Sequence, residues 1–397
     1  MTRPAEAQDL AALRSTLRRL CQGFGHDYYV RTSEAGGNAR ELWTALGAAG
    51  ALGVAIPEEH GGGGQGMEAL AVVAEEVAAA GTPLMLIALS PAVCATMVAE
   101  HGSPEQQQWL PGLADGSRVL AFAITEPDAG SNAHEISTRA VPVGDGWVLS
   151  GQKTYVSHVD NCDALVIVAR AERGPDGVPA GLRAFLVPRD TPGLTATEIR
   201  VEILSPERQY ALFLDDVAVP ASASLGARAG LGVLFSGLNP ERIVSAALLN
   251  GISRYALAKA AAYARQRVVW GEPIGAHQAV AHPLARAATG LAAAQLLTED
   301  AARAHDQGDR TGVRAAMAKL AASEAASAAL DAAIQTHGGN GMAREYGLAT
   351  LSGLVRLFRI APVSSEMLLN HVAQAGLGLP RSYGTVRGGW DGTGRPA

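Results

Sequence analysis

The chain has 397 residues, a formal net charge of −6 and 48% hydrophobic residues. This length and composition are sufficient for two or three packed domains with a large apolar core. The acidic balance and the lack of a basic stripe argue against a nucleic-acid-binding protein. The N-terminal sequence MTRPAEAQDL lacks the apolar segment of a secretory signal, and no apolar run is long enough to cross a bilayer. We therefore expect a globular, cytoplasmic protein that does not enter a membrane.

The cysteines and histidines show no metal-binding pattern. Cys21, Cys94 and Cys162 are far apart and odd in number, so we expect them to be reduced thiols in the core. The 10 histidines are scattered, and no HExxH segment occurs. The sequence therefore predicts no metal site.

Residues 1–119 are predicted to form an N-terminal helical domain. The segments ARELWTALGAAGALG and GMEALAVVAEEVAAA repeat apolar residues every three or four positions, which is the period of an amphipathic helix. The glycine-rich stretch EEHGGGGQG between them is predicted to be a loop. It does not follow a strand and lacks the Lys-Ser/Thr that completes a phosphate-binding loop.

The pattern of apolar residues changes twice after this region. Residues 120–233 are predicted to form a middle β domain, because WVLSGQKTYV, ALVIVARA and RAFLVPR are short runs rich in β-branched and aromatic residues between turn signals. From 234 to 397 the helical period returns through Ala-rich segments, which predicts a C-terminal helical domain. The fold class that we predict is α+β.

Five short segments follow one another along the chain. They are AFAITEPDAGSN, GWVLSGQKTYVSHVDNCD, LFLDDVAVP, RVVWGEPIGAHQA and QTHGGNGMAREY. In this order they resemble motifs of the acyl-CoA dehydrogenase family, including TEPxAGSD, NGxKxWIT, RxxFGxPIxxxQ and QxxGGxGxxxEY. The resemblance implies an N-terminal helical domain, a middle β-barrel or β-sandwich domain and a C-terminal four-helix bundle. It also implies bound FAD and a homo-oligomer, either a tetramer or a dimer.

The resemblance also implies which residues contact FAD within one subunit. Tyr155 would cover the isoalloxazine ring, and Ser157 would donate a hydrogen bond towards the position that receives the hydride. Phe122, Ile124 and Thr125 of the first motif would line the pyrimidine edge of the ring. Gly130 and Ser131 of the same motif would contact the pyrophosphate. Ser364, nearer the C-terminus, occupies a position that matches a cofactor contact of the family.

A second group would reach the FAD of a neighbouring subunit. Its members by resemblance are Arg267, Trp270, Gln278, Gln335 and Gly339. Without the family motifs, Tyr155 and Trp270 would be interpreted as core aromatic residues, and Gly338, Gly339 and Gly341 as the end of a helix.

The catalytic base of the family is missing from its usual position. Many members carry it as the first Glu of an EGTSE segment, which aligns here with residues 362–366, so that Pro362 replaces the base. Proline also lacks the backbone N–H that would polarise the thioester carbonyl, unless a shift of one residue brings the Val363 N–H into place. Glu366 matches the second Glu of this segment. In the family that residue lies towards the adenosine end of FAD, so Glu366 is not the preferred candidate for the base.

Isovaleryl-type and long-chain-type members supply the base from a helix after the β domain instead. The segment SGLNPERIVSAALLNG matches that helix and places Glu241 at the base position. An alternative interpretation is structural. Asn239 and Pro240 are typical of a helix N-cap and first turn, where Glu241 would only stabilise the helix dipole.

The function that these motifs imply is the FAD-dependent α,β-dehydrogenation of an acyl thioester. The substrate would be an acyl-CoA or an acyl carrier protein conjugate, Glu241 would remove the α-proton, and electrons would leave to an electron-transfer flavoprotein. Two alternatives remain open at this point. One is a flavin-dependent oxidase or monooxygenase of the same fold, and the other is a non-catalytic homologue that binds acyl thioesters.

Overall fold

The computed structural model describes residues 7–173, 180–226 and 231–381. In these residues a group of helices is followed by a β-sheet and then by a second group of helices, as the sequence predicts. A π-helical segment, Ala88–Ala95, lies between the fourth and fifth helices of the first group. The first group comprises α1 (Ala7–Cys21), α2 (Gly25–Glu34), α3 (Arg40–Ala48), α4 (Gly66–Ala79), α5 (Thr96–His101), α6 (Pro104–Gln107) and α7 (Leu110–Asp115).

The middle of the chain forms one sheet, which has eight strands within the described ranges. Its hydrogen-bonded order is β6-β7-β3-β2-β4-β5-β8, and β1 pairs in parallel with β4. The strands are β1 (Leu120–Ala123), β2 (Arg139–Val143), β3 (Gly146–Ser157), β4 (Ala164–Ala171), β5 (Gly181–Pro188), β6 (Leu194–Ile199), β7 (Gln209–Pro220) and β8 (Ser224–Leu225).

Strand β4 explains why this part of the sequence is so apolar. Leu165 and Ile167 belong to the largest core cluster, whereas Val166 and Val168 belong to a second cluster on the other face of the sheet. Successive side chains of a strand point to opposite faces, so a strand that is buried on both faces is apolar throughout.

The second helical group contains three long helices. They are α8 (Leu231–Gln266), α9 (Gln278–Asp306) and α10 (Val313–His337), with α10 packed against both α8 and α9. A short hairpin of β9 (Val268–Val269) and β10 (Glu272–Pro273) connects α8 to α9. The short helices α11 (Ser352–Leu357) and α12 (Ser365–His371) pack against α10, and α4 of the first group packs against α8.

An ion cluster joins the two helical groups. Glu76 of α4 accepts hydrogen bonds from Arg14 and Arg18 of α1 and from Arg254 of α8 at 2.7–2.9 Å. Burial alone would raise the pKa of Glu76, but the hydrogen bonds from Arg18 and Arg254 outweigh it and lower the pKa to about 2.

One sequence-based prediction about α8 is wrong. The helix begins at Leu231 and runs through Pro240, so Asn239 and Pro240 are neither its N-cap nor its first turn. This part of α8 is closely packed, since a Cβ added at Gly237 would lie 2.9 Å from the Met97 side chain, and the helix as a whole packs against α4 and α10. Tertiary packing of this kind can outweigh local signals for a helix start. Glu241 therefore lies within the helix, and the helix-dipole interpretation does not apply.

The three cysteines are free and buried, as predicted. Burial raises the pKa of Cys21 to about 11 and that of Cys162 to about 12, so both are inert thiols rather than reactive thiolates. In the ranges that the structure describes, every helix is too short or too polar to span a membrane.

Candidate active site

The turn after β1 is held by a buried ion pair. Glu126 accepts hydrogen bonds from the Ser137 N–H at 2.6 Å, the Ser137 hydroxyl at 2.7 Å, the Thr138 N–H at 2.9 Å and Lys153 Nζ at 2.7 Å. Burial opposes ionisation of Glu126, but these donors, with Lys153 the strongest, lower its pKa to about 2. Burial lowers the pKa of Lys153 to about 8. The pair fixes the TEPDAGS turn to β3.

Two further hydrogen bonds complete this arrangement. Lys153 Nζ donates to the Ile124 carbonyl at 3.1 Å, and the Thr154 N–H donates to the Thr125 carbonyl at 2.9 Å. The side chains of Ile124 and Thr125 are half-buried. Phe122 is buried in the second core cluster, so only its backbone is free to line a cofactor, whereas Gly130 and Ser131 are exposed.

Tyr155 projects from an irregularity in β3. The pairing of β3 with β7 shifts register between Lys153 and Val156, and Tyr155 in the shifted segment has φ 54°. A left-handed φ is rare for an aromatic residue and marks strain that other contacts must stabilise. Its side chain is 62% exposed. An exposed, strained aromatic beside the Thr125 turn fits the flat face of a ring system.

Ser157 lies two residues further along β3 and is held by a residue that the sequence motifs did not single out. Its cross-strand partner in β7 is Gln209, whose Nε2 lies 2.9 Å and Oε1 3.1 Å from Ser157 Oγ. When the amide nitrogen donates, the hydroxyl proton of Ser157 remains free to donate elsewhere.

The candidate base lies apart from the β-domain residues described above. It belongs to a second cluster of predicted site residues, between α8 and α10. Glu241 is only 1% exposed, and its Oε1 and Oε2 lie 3.2 and 3.5 Å from Nζ of Lys319, which is 0% exposed. The hydroxyl of Ser245, one turn along α8, also donates to Glu241 Oε1. Lys319 Nζ donates in addition to the Ala361 carbonyl at 3.1 Å. The carboxylate and the residue before Pro362 thus share one ammonium group.

The segment that follows contains the positions aligned with EGTSE. Pro362 is exposed and Val363 half-buried. Ser364 is the N-cap of α12, and its hydroxyl accepts a hydrogen bond from the Met367 N–H at 3.3 Å. Glu366 is exposed in the first turn of α12. Glu241 is therefore the buried carboxylate of this region and Glu366 is an exposed one.

The residues predicted to serve a neighbouring subunit form a third cluster. Trp270 and Gly271 form the two-residue loop of the β9–β10 hairpin, with φ 58° and 86°, and Trp270 is 92% exposed. Positive φ at both loop positions is the requirement of a type I′ turn, which rarely contains a tryptophan. The other four members of the cluster are exposed; they are Arg267, Gln278, Gln335 and Gly339.

The second and third clusters lie far apart along α8. Glu241 and Arg267 are separated along α8 by 26 residues, the difference of their numbers, which corresponds to roughly 39 Å of helix. Tyr263 lies at the far end, where its ring stacks on His337 with 4.2 Å between centroids. The third cluster therefore belongs to the ends of α8 and α10, away from Glu241.

Family models match three consecutive parts of the chain. They are the N-terminal, middle and C-terminal domains of acyl-CoA dehydrogenase, over residues 7–117, 121–217 and 228–377. The chain belongs to the acyl-CoA dehydrogenase family. This acyl-CoA dehydrogenase has the predicted fold, with a helical N-terminal domain, a β-sheet domain and a helical C-terminal domain.

Individual relatives extend over nearly the whole chain. FadE12 of Mycobacterium tuberculosis is 49% identical over 384 residues, covering 95% of this chain and 98% of its own length. The mitochondrial long-chain specific acyl-CoA dehydrogenase of Rattus norvegicus is 30% identical over 364 residues, which are 91% of this chain and 85% of the relative. A glutaryl-CoA dehydrogenase from Mycobacterium smegmatis, crystallised with FADH2, superimposes with a TM-score of 0.88 at 27% identity, covering 95% of this chain and 97% of that chain.

Proposed function

We propose that this FAD-dependent acyl-CoA dehydrogenase uses Glu241 as the base that removes the α-proton of an acyl-CoA. The observation that carries the proposal is the single ammonium group shared by Glu241 and the Ala361 carbonyl. The Lys319 ammonium group lies between the Glu241 carboxylate and the Ala361 carbonyl, so these two groups are two hydrogen bonds apart. Ala361 directly precedes Pro362, which occupies the usual base position. The two base positions of the family thus lie in one region.

The partners of Glu241 support a chemical rather than a purely structural role. The carboxylate accepts from one ammonium group and one hydroxyl, and a hydroxyl can rotate to accept a hydrogen bond when the carboxyl group is protonated. If Glu241 takes a proton, its new O–H can donate to the Ser245 hydroxyl, so that two hydrogen-bond donors are not forced to face each other. A carboxylate that changes its protonation state during a reaction needs such tolerant surroundings.

The residues of the β domain fit an isoalloxazine ring. Tyr155 offers an exposed aromatic face, the Thr125 turn is fixed by the Glu126–Lys153 pair, and the Ser157 hydroxyl is held by the Gln209 amide. FAD supplies the acceptor for the hydride that leaves the β-carbon. The protein supplies orientation: Gln209 holds Ser157, and the ion pair holds the turn along which the pyrimidine edge would lie.

The exposed third cluster supports a homo-oligomer. Trp270 combines a strained backbone with almost complete exposure, and both are unfavourable in an isolated chain. A neighbouring subunit whose FAD is contacted by Trp270, Arg267 and Gln335 would bury this surface. We propose such sharing in a dimer or tetramer, with an electron-transfer flavoprotein as the acceptor of electrons and a cytoplasmic location.

An anaerobic titration of the flavin absorbance tests the base. We expect one acyl-CoA from a panel of short, branched, medium and long chains to bleach the flavin of the wild-type protein. Loss of general-base catalysis in Glu241→Gln should slow this bleaching by about 10²–10⁴-fold. Glu324→Gln, which removes an exposed carboxylate from α10, is the matched control and should stay near the wild-type rate. Wild-type bleaching by Glu241→Gln would exclude it as the base.

A further inference from the structure

Lys319 is an unusual residue in its helix. Its neighbours in the segment AAMAKLAASEAA are mostly small and apolar, and it lies on the buried side of α10 with no exposed surface. Its Nζ has three oxygen neighbours: both carboxylate oxygens of Glu241 at 3.2 and 3.5 Å and the Ala361 carbonyl at 3.1 Å. One ammonium group therefore joins α8, α10 and the segment that contains Pro362.

Holding this cation in the core is costly. Burial lowers the pKa of Lys319, because the ammonium loses its water shell, and the nearby Glu241 carboxylate offsets only part of the effect. A buried ion pair is often no more stabilising than apolar side chains of the same size. Packing alone would be satisfied by a leucine or methionine here, so the charge calls for a separate explanation.

The charges around the pair are few. Arg242 is the other charged group that acts on Lys319, and its Nη1 is held by Asn239 Oδ1 at 3.0 Å. Most ionisable groups on the other packed elements have partners of their own or are exposed; they are Glu75 and Glu76 on α4, Glu100 and His101 on α5, Arg310 before α10, and Glu366 on α12. Arg359, before α12, is half-buried, and its Nε has no hydrogen-bond partner among the described residues. Lys319 is thus the cation that directly contacts the Glu241 carboxylate.

We propose that Lys319 is a positioning residue for the proton transfer. It places its ammonium group beside the buried Glu241 carboxylate and orients that carboxylate before the reaction, and it holds the Ala361–Pro362 segment against the same carboxylate. This inference rests on the proposed role of Glu241. When Glu241 accepts the α-proton and becomes neutral, Lys319 retains the Ala361 carbonyl as an acceptor, so that the segment stays in place through the reaction.

A lysine on the same helix as Glu241 provides a matched control. Lys259 of α8 is half-buried and donates a hydrogen bond to the Tyr255 hydroxyl at 3.1 Å. It lies 18 residues from Glu241, the difference of their numbers, which is about 27 Å of helix, so its replacement removes a cation without touching Glu241. A general effect of losing a lysine from α8 appears in this variant, whereas an effect on Glu241 does not.

The test is the pH dependence of flavin reduction by a saturating acyl-CoA in the purified holoenzyme. In Lys319→Met the acidic limb of the profile should move to higher pH by about one unit or more, because removal of a cation at this distance disfavours the charged carboxylate. The maximal rate should fall about 10- to 100-fold, since the base is less well oriented. Lys259→Met should keep the wild-type limb. Lys319→Arg should restore the limb towards its wild-type position.

An acidic limb that stays in place in Lys319→Met would overturn the inference, even if the maximal rate falls. If Lys319→Met does not fold, Lys319→Gln, which keeps a hydrogen-bond donor but loses the charge, is expected to give the same shift. Urea unfolding supplies a second readout. The destabilisation of the double variant Glu241→Gln/Lys319→Met should be smaller than the two single effects added together, and strict additivity would refute the pairing.

The two proposals fail in different ways. If Glu241→Gln reduces its flavin at the wild-type rate, the base assignment is wrong, and the positioning role is wrong with it. If Glu241→Gln is inactive while Lys319→Met keeps the wild-type limb, the base assignment stands and only the role of Lys319 is refuted.

Discussion

The β domain and the C-terminal helices each contain a fully buried lysine–glutamate pair, and the two pairs differ in how the carboxylate is satisfied. Glu126 accepts from Lys153, a hydroxyl and two backbone N–H groups. Glu241 accepts from Lys319 and one hydroxyl. Backbone N–H groups cannot become acceptors, so Glu126 is committed to the charged form. The comparison supports a structural role for Glu126 and the proposed role of Glu241 as the base.

The largest expected effect comes from substituting each carboxylate by the amide of the same shape. In Glu126→Gln an NH2 group would face donors that cannot turn away, so we expect a loss of about 3–5 kcal/mol in the free energy of unfolding. Glu241→Gln should cost only about 1–3 kcal/mol, because the Ser245 hydroxyl can rotate to accept and Lys319 keeps the Ala361 carbonyl. Urea unfolding of both variants measures the difference. Equal losses would contradict the distinction between the two pairs.

Acid should destabilise the β domain through Glu126 and the junction of the two helical groups through Glu76. Both carboxyl groups have a pKa of about 2 in the folded protein, below their ordinary value of 4.5. A lowered pKa contributes stability that is complete above the unfolded value and is lost as the pH falls from about 4.5 to about 2. The unfolding free energy should therefore decrease steeply over this interval, and less steeply in Glu126→Gln. A wild-type curve that is flat between pH 4.5 and 2 would refute these assignments.

A moderate effect is expected at the exposed third cluster. Trp270→Ala should weaken FAD retention and subunit association by about tenfold or more, since a central aromatic contact is often worth 2 kcal/mol or more. Val143→Ala, which shortens another exposed apolar residue at the β2–β3 hairpin, should change neither. Dilution series monitored by light scattering and by released flavin fluorescence provide the measurement. Unchanged association in Trp270→Ala would argue against a shared cofactor site.

The smallest effect is expected at Gln209. Gln209→Leu removes the hydrogen bond that orients Ser157, together with one to the Glu207 carbonyl, and should slow flavin reduction about three- to tenfold, in keeping with a bond worth about 1 kcal/mol. Stopped-flow reduction at saturating acyl-CoA measures the rate. A variant as fast as the wild-type protein would show that the hydroxyl of Ser157 needs no partner.

The sequence was sufficient for the order of the domains and for the strands β3, β4 and β5, because alternating or continuous apolar patterns depend on neighbours along the chain. It was misleading at Asn239 and Pro240, which resemble a helix start but lie within α8, where tertiary packing outweighs the local signal. The pairing of Lys319 with Glu241 joins residues 78 positions apart, and that of Ser157 with Gln209 joins residues 52 apart. Local periodicity carries no information on such pairs, although a lone lysine on the apolar side of an Ala-rich helix was a usable signal for Lys319.

The central claim, that Glu241 is the base opposite the substrate α-carbon, is tested most directly by following the α-proton itself. The holoenzyme is incubated in deuterated buffer with an acyl-CoA analogue that cannot be oxidised at its β-carbon, and incorporation of deuterium at the α-carbon is measured by mass spectrometry. The account predicts exchange by the wild-type protein and by Glu324→Gln, and a loss of about 10²-fold or more in Glu241→Gln. Exchange by Glu241→Gln at the wild-type rate would contradict it and return the search to another group near Pro362.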